Sequence, residues 1–100
     1  PMQLVECIPN FSEGRNAFII NKIAESIVEV QGVKLLEIDP NPDANRTVIT
    51  FAGTPERVVE AAFNAIRKAS ELIDMREQKG AHPRIGATDV CPLVPLQGIS

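Results

Sequence analysis

The alternation of apolar and polar positions divides the chain into six ordered segments. Gln3–Pro9 is mostly apolar, carries the β-branched Val5 and Ile8, and closes on Pro9-Asn10, which predicts a strand. From Arg15 onward, Ile19, Ile20, Ile23, Ala24, Ile27 and Val28 recur at helical spacing, with Asn21, Lys22, Glu25 and Glu29 mainly on the other side. Ser12 is placed to cap this helix, and Gln31-Gly32 to end it. Val33–Asp39 and Arg46–Ala52 predict two further strands. The polar turn Pro40–Asn45 between them makes a hairpin. Gly53-Thr54-Pro55-Glu56 then marks a helix start, with a capping Thr, a Pro in the first turn and an acid beside it. The helix is expected to run to about Met75, with Val58, Val59, Ala62, Ile66, Ala69, Leu72 and Ile73 as its apolar stripe.

Arg76–Thr88 has no apolar period and contains Gly80, Pro83 and Gly86, the pattern of a long ordered loop. Asp89–Leu96 predicts a last strand, and Pro92 and Pro95 confine it to a sheet edge or an irregular segment. The order β-α-β-β-α-β predicts an α+β fold of the ferredoxin-like split type, with two helices on one sheet face.

The strands do not alternate cleanly. Val5 and Cys7 oppose Leu4 and Ile8, and Val33 and Leu35 oppose Leu36 and Ile38, so both sheet faces read as apolar and covered. Polar residues stand near the strand ends: Asn10 shares a side with Glu6, and Asp39 with Glu37. A covered face with polar groups at its rim suits a ligand cleft, provided no bulge changes the register.

Composition narrows the function classes. The chain has 100 residues, 10 basic and 13 acidic, for a net charge of −3. Apolar residues make up 44% and charged ones 23%, the balance of one globular domain or a piece of one. Aromatics are only 4%, with no Trp or Tyr, and no basic cluster is present, so nucleic acid is not the expected partner. No run approaches the roughly 18 apolar residues of a membrane helix. Pro1–Glu6 lacks a basic leader, so no secretion signal and a cytoplasmic location are expected. The sequon Asn45-Arg46-Thr47 is then accidental. Cys7 and Cys91 lie far apart without a second Cys or a His at ligand spacing, which argues against a metal site and for two buried small hydrophobes.

His82 is the single histidine and stands in Gly80-Ala81-His82-Pro83-Arg84-Ile85-Gly86. Pro83 restricts the backbone of His82 to extended geometry, and the flanking glycines permit close approach of a ligand. A histidine so held can move protons near neutral pH, although an isolated loop histidine is often merely solvated. Asp39 could orient or stabilise an imidazolium, or simply cap the turn that follows it. Arg46 could clamp a carboxylate through two hydrogen bonds, or remain a solvated turn residue. In Asn10-Phe11-Ser12-Glu13-Gly14, backbone N–H groups at the coming helix start favour an anion.

Three blocks of this chain resemble the N-terminal subdomain of the formiminotransferase family: Val5–Gly14, Asn45-Arg46-Thr47-Val48, and Gly80–Pro92. They occur in the family's order and spacing, and the resemblance covers essentially the whole chain. It implies transfer of the formimino group from N-formimino-L-glutamate to N5 of tetrahydrofolate, a glutamate formimidoyltransferase reaction of histidine degradation. It further implies His82 as the acid/base and Asp39 as its catalytic partner. Asn10, Arg46 and Arg84 would bind substrate, tetrahydrofolate would be the co-substrate, no metal is called for, and a homo-oligomer is expected. Family members carry a longer transferase region. The chain at 1–100 is therefore expected to be the first part of that subdomain, with much of the folate site elsewhere. The alternative is a non-catalytic ferredoxin-like module that binds a ligand or dimerises through its second sheet face, without use of His82.

Overall fold

The computed structural model describes residues 3–73, 88–90 and 93–96. It is an α+β fold of two helices and one antiparallel sheet. The strand segments are β1 (Leu4–Cys7), β2 (Asn10–Phe11), β3 (Lys34–Asn41), β4 (Arg46–Gly53), β5 (Thr88–Val90) and β6 (Leu93–Leu96), and the helices are α1 (Ala17–Val28) and α2 (Pro55–Leu72).

β1 and β2 are two parts of one chain path. The first predicted strand runs beyond Pro9, because both parts pair with β4, through Cys7–Phe51 and then Asn10–Val48. Pro9 has no N–H to give, which interrupts the ladder, yet its carbonyl accepts from Ile49 N at 3.1 Å and carries the pairing across the gap. β5 and β6 flank β2 and β1 in the same way, so the last strand segments lie on the sheet edge, where Pro95 is tolerated. β3 pairs with the other side of β4 to make the expected hairpin. Across the sheet the path is β3, β4, then β1 with β2, then β6 with β5.

Burial along β4 strictly alternates: Thr47, Ile49, Phe51 and Gly53 are buried, while Arg46, Val48, Thr50 and Ala52 are half-buried. Of these, Ile49 and Phe51 join Cys7 and Phe11 with Ile23 and Ile27 of α1 and Val58, Ala61, Ala65 and Ala69 of α2 in a single core. Cys7 is thus the small buried hydrophobe that its apolar setting predicts; Cys91 lies outside the described residues. Exposed pairs such as Arg57–Glu60, at 3.1 Å, contribute only about 0.3–0.5 kcal/mol each, so the apolar core holds the fold.

Three local expectations are corrected. α1 is capped by Asn16, whose Oδ1 accepts from Phe18 N at 3.0 Å and Ile19 N at 3.3 Å, whereas Ser12 is buried ahead of the helix. Thr54 stands at the cap position of α2 with extended backbone, but its side chain makes no capping bond; Pro55 sets the first turn. The buried stripe of α2 is Val58, Ala61, Ala65 and Ala69, followed by Ile73 at the C-cap. Val59 and Ile66 face outward with Phe63, and Val59 is 54% exposed. Small side chains at 61, 65 and 69 let the helix axis lie close to the sheet, where larger ones would overfill a dense core. Val58, Ala69 and Ile73 are thus buried as expected, whereas Ala61 and Ala65 take the places read for Ala62 and Ile66, one position away.

The second sheet face also differs from expectation. β3 carries a bulge: Leu35 opposes Phe51 and Glu37 opposes Thr50, leaving Leu36 as the extra residue, 47% exposed. Beyond it the phase of β3 reverses. Ile38 opposes Ile49 and joins the core with Leu35, while Glu37 and Asp39 turn to the face of Thr50 and Val48. The second face is therefore a mixed polar surface, with Glu6, Asn10, Lys34, Glu37, Asp39 and Arg46 around a strip formed by Val48 and Ala52.

Candidate active site

One end of that second face forms a cleft of about 190 Å³ lined by Asn10, Asp39, Asn41, Ala44, Arg46 and Val48. Three strands supply it. Asn10 opens β2 opposite Val48; Asp39 lies opposite Val48 from β3; Arg46, at the first position of β4, pairs with Asn41. Paired residues of an antiparallel ladder point to the same face, so the register alone directs these side chains into one space.

Asn10, Asp39 and Arg46, singled out separately in the sequence, are thus brought together. Asn41 and Val48 were not anticipated, although each stands two residues from a nominated one, at Asp39 and Arg46, the spacing that returns a strand to the same face. Ala44 enters from the turn, which strand periodicity does not reach. His82 and Arg84 lie outside the described residues.

The cleft is chemically mixed. Asp39 is exposed and anionic, and Arg46 is half-buried and cationic. Asn10 Oδ1 is buried and has no hydrogen-bond partner among the described residues. An acceptor withdrawn from water without a partner costs about 1–3 kcal/mol, and a ligand N–H donor would relieve that cost. A small molecule with an N–H-rich end and an anionic end matches acceptors at Asn10 and Asp39 and a guanidinium at Arg46. Among the described residues, no three metal-ligating side chains come together.

The loop before α1 does not present the anion site expected of it. Its N–H groups are already engaged: Gly14 N donates to Asn45 Oδ1 at 2.8 Å, and Arg15 N and Asn16 N to Glu13 Oε2 at 3.0 and 2.8 Å. Asn16 Oδ1 takes those of Phe18 and Ile19. The buried Glu13 carboxylate occupies the place an incoming anion would take.

Fold and cleft define an α+β domain with a polar cleft on the sheet face away from the core. Comparison with known sequences makes the class specific: the formiminotransferase domain, N-terminal subdomain, matches residues 4–100. The chain is 57% identical to the formimidoyltransferase-cyclodeaminase of Rattus norvegicus over 98% of its own length and 18% of that protein. It is 51% identical to the glutamate formimidoyltransferase of Thermoplasma acidophilum, covering 96% of the chain and 32% of the relative. For that of Streptococcus pyogenes serotype M1 the figures are 46%, 98% and 33%. The chain belongs to the formiminotransferase family and corresponds to its N-terminal subdomain; it spans a third or less of these relatives' lengths.

Proposed function

We propose that this chain supplies the formiminoglutamate-binding part of a glutamate formimidoyltransferase, which moves the formimino group to N5 of tetrahydrofolate and releases glutamate. The observation that carries this reading is the convergence of Asn10, Asp39 and Arg46 on one cleft, in a chain about half identical to proteins bearing that name. The volume supports the division of labour. At about 190 Å³ the cleft suits an amino-acid-sized substrate and falls short of the roughly 300–1,000 Å³ typical for larger ligands. The folate is then held mainly by other parts of the full-length enzyme.

In the reaction, N5 of tetrahydrofolate attacks the amidine carbon of formiminoglutamate and loses its proton. The tetrahedral intermediate then collapses as the glutamate nitrogen gains a proton and departs with the bonding pair. His82 takes the first proton and gives back the second, a cycle suited to a group that ordinarily titrates at about 6.5. Asp39 stabilises the charged imidazole or the amidinium, Asn10 accepts a substrate N–H, and Arg46 and Arg84 hold substrate carboxylates. The strand path β3, β4, β1–β2, β6–β5, with both helices contributing to one core, supports the ferredoxin-like split reading of the fold. None of the helices among the described residues is long and apolar enough to cross a membrane. A cytoplasmic homo-oligomer remains part of the proposal.

The test is formimino transfer by the natural full-length protein that contains this sequence. His82→Ala should lower kcat by about 10²–10⁴-fold while tetrahydrofolate still binds. Turnover within about twofold of wild type would remove His82 from the acid/base role.

A further inference from the structure

Arg46 is bracketed by two bonds to a loop remote in sequence. On its N-terminal side, Asn45 Oδ1 accepts the Gly14 N–H at 2.8 Å; on its C-terminal side, Thr47 Oγ1 donates to the Glu13 carbonyl. All of Glu13, Gly14, Asn45 and Thr47 are buried. Gly14 lies so close that a Cβ there would stand 2.5 Å from Arg46 N and 2.7 Å from Arg46 O, and against the Asn41 carbonyl as well. Arg15 adds a third link, its Nε donating to the Pro42 carbonyl at 2.8 Å.

Asn45 is only 4% exposed and sits at φ 53°, the sole non-glycine residue with a positive φ among those described. Asn adopts that left-handed conformation more readily than most residues, and here its amide also reaches the loop. One residue thus sets the turn geometry and ties it to the segment that continues from Asn10.

Resting on the function proposed above, we infer that Asn45 is a positioning residue for substrate recognition: by latching the β3–β4 turn to Gly14, it holds the Arg46 guanidinium in register with Asn10 across the cleft. Asn45 itself does not line the cleft. Its effect therefore passes through the placement of Arg46 and falls on the end of the substrate that Arg46 binds.

The test compares Asn45→Gly, which keeps the backbone conformation and removes the acceptor, with Asn45→Asp, which keeps both. In the natural full-length protein, Asn45→Gly should raise KM for formiminoglutamate about five- to tenfold, the scale of one lost hydrogen bond, and leave KM for tetrahydrofolate unchanged. The kcat should stay within about twofold, and Asn45→Asp should restore KM to near wild type. A role confined to folding predicts instead a lower active fraction and melting temperature with both KM values unchanged, and that result overturns the inference. If the wild-type protein transfers no formimino group, the functional reading fails and this inference with it. An active wild type with an unaltered Asn45→Gly KM sinks the inference alone.

Discussion

Asn10 and Asp39 oppose the same residue, Val48, from the two sides of β4. Three adjacent strands thus align an amide, an isopropyl group and a carboxylate in one row. At about 4.8 Å per strand the outer two backbones lie about 10 Å apart, with Val48 as the floor between them. Val48→Phe should fill that floor. Because Val48 is half-buried on the face away from the core, we expect KM for formiminoglutamate to rise at least about tenfold with a loss of stability under about 1 kcal/mol. Steady-state kinetics beside a thermal melt decide this, and an unchanged KM would place the substrate elsewhere.

Leu36 offers a test of the bulge. Leu36→Ala trims an exposed side chain and should cost no more than about 0.5 kcal/mol. Deleting Leu36 removes the bulge and leaves a regular ladder in the same register, with Leu35 opposite Phe51, Glu37 opposite Thr50, Ile38 opposite Ile49 and Asp39 opposite Val48. Core and outer phases are then unchanged, so the deletion should cost no more than about 1–2 kcal/mol. Denaturant unfolding of the two variants checks this; a loss of several kcal/mol on deletion would mean that Leu36 is not a dispensable extra residue.

Ala65 and Ile66 are neighbours with opposite fates, one buried and one exposed. Ala65→Leu forces extra volume between α2 and the sheet and should destabilise by about 1–3 kcal/mol. Ile66→Ser should stay within about 0.5 kcal/mol, although it replaces the more hydrophobic residue. A reversed ranking would restore the stripe read from hydrophobicity alone.

Arg46→Lys tests geometry against charge. Lysine keeps the positive charge and loses the planar two-point grip on a carboxylate. If Arg46 holds substrate in that way, Arg46→Lys should raise KM for formiminoglutamate by about tenfold and Arg46→Ala by more, on the scale of one to two charge-assisted bonds. Identical KM values for Lys and wild type would reduce Arg46 to a point charge.

Much of this architecture was legible because the signals were local. Thr54-Pro55-Glu56 located the start of α2, and the polar run Pro40–Asn45 located the hairpin turn. Asn10, Asp39 and Arg46 could each be nominated from their place at a strand end. What escaped was set by partners distant in the chain. Ser12 lies in a loop against which the hairpin turn packs, through Gly14 to Asn45 and Thr47 to Glu13, and α1 starts later, at Asn16. The outer face looked apolar because a bulge in β3 is visible only against β4. Asn45 looked like an ordinary turn residue, since its bond to Gly14 spans 31 positions of sequence.

The alternation of β4 has a consequence for how this protein can vary. Thr47, Ile49, Phe51 and Gly53 are buried, and the residues between them lie on the outer face, where Arg46 and Val48 line the cleft. If the cleft is the substrate site proposed above, substituting every position of the strand in turn should produce two interleaved records, foldedness at odd numbers and substrate use at 46 and 48. Selection could then retune 46 and 48 toward another small substrate while leaving the odd series, and with it the fold, nearly untouched.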